Sequence, residues 1–153
     1  MGNIVFNIAK GRVVEFYNRV ESNDPANSAL IVVPLETAGL ESDATLMDAD
    51  TLAAVLAGST NEQTTMGRRV LTDVELAALP PPDDTNNRYS ISLPAITWAA
   101  ATGNPISALL VCYDANTTAG TDADIIPLVM FDFIVTPSGT DIQSLAGEFF
   151  RAS

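Results

Sequence analysis

Three strand-length apolar runs limit what this chain can become: Ala29 to Leu35 (ALIVVPL), Ile106 to Tyr113 (ISALLVCY) and Ile125 to Val135 (IIPLVMFDFIV). Runs with so little polar alternation predict strands covered on both faces, so the fold must place a layer on each side of a sheet. Polar turn-forming segments separate them: SNDPANS from Ser22, PPPDDTNN from Pro80 and DANTTAGTDAD from Asp114. Short strands between such turns predict a mainly β fold, an antiparallel sandwich or partly open barrel. With 153 residues the chain reads as a single β-rich domain, residues 1–153, long enough to bury about 68–70% of its unfolded surface without disulfides or a structural metal.

Other elements follow from local pattern. NIVFNIAKGRVVEFYNRV, from Asn3 to Val20, is rich in β-branched and aromatic residues and predicts strand, turn at Lys10-Gly11, strand. Residues 1–10 are read as a candidate arm. Tyr89, Ile91 and Leu93 alternate with Ser90 and Ser92, the period of a strand with one wet face, and Ile96 and Trp98 continue it. One short inserted helix is expected within DADTLAAVLAG, where Leu52, Val55 and Leu56 share a face, Asp48 or Asp50 caps the start and Gly58 the end. Thr72 and Glu75 have the spacing of a capping box, while Arg68 to Leu71 ahead of them reads as strand. Pro80, Pro81 and Pro82 make a stiff connector near 80–87.

Charge and residue inventory exclude function classes. The chain has 7 Lys plus Arg against 19 Asp plus Glu, a formal net charge of −12, and no His. Between Arg88 and Arg151 there is no cation. Nucleic-acid affinity comes from cations neutralising phosphates, so no nucleic-acid partner is expected. Anionic membranes are disfavoured for the same reason, and no run is long enough to span a bilayer as a helix. Lack of His removes the commonest general base and the Ser-His and Cys-His nucleophile pairs, so an enzyme is not expected.

Several residues invite a chemical reading. Asp114, Asp122 and Asp124 carry oxygen ligands of the kind calcium takes, but Ala119 stands where an EF-hand loop starting at Asp114 requires glycine, so they are weak metal candidates and no cofactor is expected. Asp83, Asp84, Asp132 and Glu148 could be nominated as a glycosidase pair, although ordinary surface charge accounts for them. Cys112, the single cysteine, lies in an apolar strand and reads as a small buried hydrophobe. An unpaired thiol and no signal-like start favour synthesis in a reducing cytoplasm. Trp98 reads as core, with stacking on a sugar as the alternative. The two ends are the strongest interface candidates: Ile4, Val5 and Phe6 near the start, and Phe149, Phe150 and Arg151 near the close, aromatic residues and an Arg being the types enriched at binding hot spots.

The strings NIAKGRVVEFYNRV, DPANSALIVVPLETAGLESDATLMDADTLAAVLAG, DDTNNRYSISLPAITW, LLVCYD, TDADIIPL and the closing FFRAS together resemble small structural proteins of tailed bacteriophages. The resemblance runs from Asn3 to Ser153 and contains no chemical motif. It implies a virion structural protein, most commonly a capsid decoration (cement) protein that binds the outside of the phage major capsid protein lattice. It further implies a homo-oligomer, with a trimer favoured, made in the host cytoplasm and ending on the outer capsid surface. A neck, tail or fibre-base component is the structural alternative. A carbohydrate-binding host-surface module using Trp98 and the acidic loop is the alternative of another class.

Overall fold

The computed structural model describes residues 3–153. Its centre is a five-stranded sheet built on the three apolar runs. The strands are β1 (Ile4–Val5), β2 (Ala29–Glu36), β3 (Arg69–Leu71), β6 (Ile106–Asp114) and β7 (Ile126–Val135), in the order β1-β7-β6-β2-β3, all pairs antiparallel. Two further antiparallel ladders pair β4 (Tyr89–Leu93) with β9 (Gly147–Ala152) and β5 (Ile96–Ala101) with β8 (Thr140–Ser144). The fold is therefore mainly β and antiparallel, a sandwich-like arrangement with no closed barrel among the described residues.

Strand alternation explains why the apolar runs carry no polar face. Leu30, Val32, Leu109, Val111, Tyr113 and Val129 pack into one core with Ile91 and Leu93 of β4, Ile96 and Trp98 of β5, Ile142 of β8 and Phe149 of β9. Their neighbours Ala29, Ile31, Val33, Leu35, Ala108, Leu110, Cys112 and Met130 point the other way, into a second core with Leu46, Leu52 and Val55. Both sides of the sheet are thus dry over β2, β6 and the first half of β7, whereas the second half of β7, expected to be covered on both faces, leaves Asp132 and Ile134 exposed. A register shift between Ile106 and Ala108 turns Ile106 to the first core although its parity matches Ala108, as an extra residue in one strand reverses facing. The first core joins residues from both sides of the proline connector: Tyr17 and Phe149 lie with ring centroids 6.2 Å apart.

The helices depart from expectation. Three α-helices are present among the described residues, together with a 3₁₀ turn at Asn7–Ala9. The second strand expected before Val20 is a helix, α1 (Val13–Glu21). Val13, Phe16, Tyr17 and Val20 recur at i, i+3, i+4 and i+7 and are all buried, while Glu15 on the wet face meets Arg12 and Arg19. Burial of that apolar stripe outweighs the β propensity of its Val, Phe and Tyr residues. Phe16 stacks on Tyr113 at 4.7 Å, fixing α1 against β6.

A second helix, α2 (Asp43–Leu46), is capped by Ser42, whose hydroxyl accepts from Thr45 N. The expected helix shrinks to one turn, α3 (Leu52–Val55), and its cap is Thr51, which accepts from Ala54 N at 3.1 Å. Asp48 and Asp50 do not cap it. Thr72 and Glu75 form only the Glu half of a capping box, Thr72 N and Oγ1 donating to Glu75 Oε2 at 2.8 and 2.6 Å while Glu75 N donates to Thr72 O, and they close a turn that no helix follows. After Pro82 the chain enters a tight turn in which Asp83 and Arg88 bond through backbone and side chain.

Candidate interface at the open edge of the sandwich

The fold brings the two predicted end segments together. Asn3, Ile4 and Val5 form one wall of a groove and Glu148, Phe149, Phe150 and Arg151 the other, with Val129 of β7 at its base, enclosing about 320 Å³. A second depression of about 150 Å³ shares Asn3, Glu148 and Phe149 and extends past Phe131 and Asp132 to Leu145. The two are continuous along the edge where the central sheet and the β4–β9 ladder fail to join.

Side chains in the groove divide by burial. Phe6 is wholly buried and Ile4 nearly so, both in the second core; Val5 is half-buried. The arm expected over residues 1–10 is therefore folded into the body from Ile4 onward, because pairing with β7 and the Phe6 anchor bury it; its first two positions lie outside the described residues. Of the early candidates Phe6 is core rather than surface, a correction forced by its contacts. Phe149 is also buried, against Tyr17, whereas Phe150 is half-buried and Arg151 exposed.

Backbone geometry marks what the groove lacks. Phe6 N donates to Leu128 O at 3.0 Å, and Ile4 pairs with Met130. In an antiparallel ladder alternate residues turn their N–H and C=O to opposite sides, so Val5, between them, directs both away from β7. Among the described residues no strand lies on that side of β1. The outer side of β9, opposite its partner β4, is likewise without a strand among the described residues.

The electrostatics are acidic. Glu148 and Asp132 line the groove, and the one cation lining it among the described residues, Arg151, is held by Glu148 at 2.8 Å. The Arg151 guanidinium keeps the Glu148 carboxyl below the usual carboxylate range.

The acidic loop is a different kind of place. Asp114 Oδ1 accepts from Asn116 N, Asp124 Oδ2 accepts from Thr121 N, and Asp122 is gripped by Arg68, which also binds Glu62. Arg68 holds the Asp122 carboxyl below its ordinary value. Each carboxylate is thus committed to its own turn or to Arg68, and the three do not converge as a ligand set among the described residues. Asp83 pairs with Arg88, apart from the groove that holds Asp132 and Glu148.

Trp98 is buried in the first core and its indole N–H donates to Gly67 O at 3.0 Å, so its ring offers no face to a sugar. Cys112 is fully buried, and loss of solvation pushes its thiol well above the ordinary range. Sequence reasoning missed Asn3, Val129 and Glu148 as groove residues and Arg68 as the tie between two loops. The scarcity of cations marks the Arg68-Arg69 pair, but nothing in the sequence distinguishes Arg68 from Arg69 as the tie. Compared with protein-family models, curated proteins and solved structures, the chain matches none.

Proposed function

We propose that this chain is a virion structural protein of a tailed bacteriophage, a decoration protein that binds the outside of the major capsid protein lattice and stabilises the head. The observation that carries the reading is the meeting of the two end segments at one open, unpaired sheet edge. An open sheet edge is a surface on which a neighbouring subunit can be bound, which supports this reading. The distributed resemblance of the chain to tailed-phage structural proteins supports the same role. A net charge of −12 would keep decorated particles apart in solution. Many modest contacts repeated over a lattice sum by multivalency, so no single contact need be tight.

The test is the copy number of the chain in purified virions, measured by quantitative mass spectrometry against the major capsid protein. A simple fraction of the capsid count, in the hundreds of copies, is expected. A count of about a dozen or fewer would place the chain in the neck, tail or fibre base, because such rings hold few subunits. Absence from virions would end the reading altogether.

A further inference from the structure

We propose that the groove between β1 and β9 is a strand-acceptor site for an extended segment in which apolar residues alternate with Lys or Arg. In the lattice reading above, on which the partner's identity rests, that segment belongs to the capsid subunit. Three independent features define the occupant. The outward N–H and C=O of Val5 have no strand to pair with among the described residues, and an extended chain supplies the missing donor and acceptor. Within a lining of mixed polar and apolar character, Val5 and Phe150 present half-buried apolar side chains, which suit the inward-pointing half of a strand's side chains. The polar positions along the same path are Glu148 and Asp132, with Arg151 already engaged by Glu148. Glu148 and Arg151 offset one another, so an incoming Lys or Arg meets the Asp132 carboxylate, whereas an incoming acid is repelled by it.

A segment bound this way gains main-chain hydrogen bonds for affinity and side-chain alternation for specificity, and its period of two distinguishes it from a docked helix. A proline at the incoming position facing Val5 would remove one of those hydrogen bonds.

The probe is a pair of fluorescein-labelled synthetic peptides, an alternating Lys-Val peptide and an alternating Glu-Val peptide, titrated against the full chain at low salt by fluorescence anisotropy. The Lys-Val peptide is expected to bind at least about tenfold more tightly than the Glu-Val peptide, and amide resonances of residues 3–5 and 147–151 should shift on binding. Val5→Pro removes the outward N–H at an edge position, where proline is tolerated, and should abolish binding with the thermal transition retained. Should that variant fail to fold, Asp132→Lys with Glu148→Lys provides the second arm and should reverse the preference between the peptides. Equal affinity for the two peptides overturns the proposal. So does full binding by folded Val5→Pro, or a shift pattern confined to other surfaces. Lattice-level copy number with full particle binding by Val5→Pro would sink this inference alone, whereas peptide binding by a chain absent from virions would sink the decoration role alone.

Discussion

Arg68 and Asp122, 54 positions apart, are joined by two parallel hydrogen bonds, Nη1 to Oδ1 at 2.6 Å and Nη2 to Oδ2 at 2.8 Å. The same guanidinium bonds Glu62 through Nε and Nη2. One cation therefore ties the β6–β7 loop to the segment before β3, and the side chains are only partly exposed. The planar fork of arginine matches two carboxylates in a way lysine cannot.

Replacing Arg68 with Met leaves Glu62 and Asp122 facing each other without a counter-charge. With partial exposure the expected loss is about 1–3 kcal/mol, between surface and buried ion pairs, read as a lower midpoint in urea unfolding. The pH dependence has a definite sign. Asp122 has a folded-state value below its unfolded one, so the stabilisation is fully present above about pH 4 and is lost as pH falls through the folded value. Wild type should lose stability more steeply than Arg68→Met on acidification, and equal slopes would show that the pair contributes nothing.

Phe6→Ala should destabilise the whole domain by about 3–5 kcal/mol, the range for removing a buried aromatic ring. Phe6 has no exposed surface and packs in the second core. Calorimetry decides between anchor and arm: an unchanged thermal transition would mean that residues 3–6 are a detachable arm after all.

Gly39→Ala should cost about 2–4 kcal/mol, from left-handed strain together with a steric clash. Gly39 has φ +82°, and a Cβ there would meet the backbone carbonyl oxygen of Ser59. Gly11 makes the control, with φ +79° and open space around it, so Gly11→Ala should cost only about 1–2 kcal/mol. Equal denaturation midpoints for the two variants would show that the Ser59 contact is relieved by movement.

Trp98, the single tryptophan, should emit as a buried indole and resist acrylamide quenching until the domain unfolds. Trp98→Phe should cost about 1–2 kcal/mol, because Gly67 O loses its donor and the smaller ring leaves space. Added mono- and oligosaccharides should leave the emission spectrum unchanged; a saturable sugar-dependent shift would revive the carbohydrate reading.

What the sequence by itself determined is the layered β core. Apolar runs at 29–35, 106–113 and 125–135 have strand length and form the middle of the sheet, the first two covered on both faces and the third only over its first half, with Asp132 and Ile134 exposed. Cys112 belongs to that core for the same reason, and Trp98 through an inward position of β5. The helix α1 was also legible: Val13, Phe16, Tyr17 and Val20 have helical spacing, but their β-favouring residue types pointed to a strand, and composition carries less information than period when a stripe can be buried. Thr51 against Asp48 or Asp50 as the cap of α3 was not legible, because several capping residues in a row leave the start to be chosen by where Leu52 and Val55 find the core. Tertiary structure alone decided the groove. Ile4, Val5, Phe150 and Arg151 each read as interface residues singly, but which end faces which, and which of Val5 and Phe6 stays in reach, follows from β1 pairing with β7 and β9 with β4. The same holds for Arg68 and Asp122. Local pattern sets which residues must leave water, whereas contacts between distant segments depend on sheet order, which no stretch of sequence encodes alone.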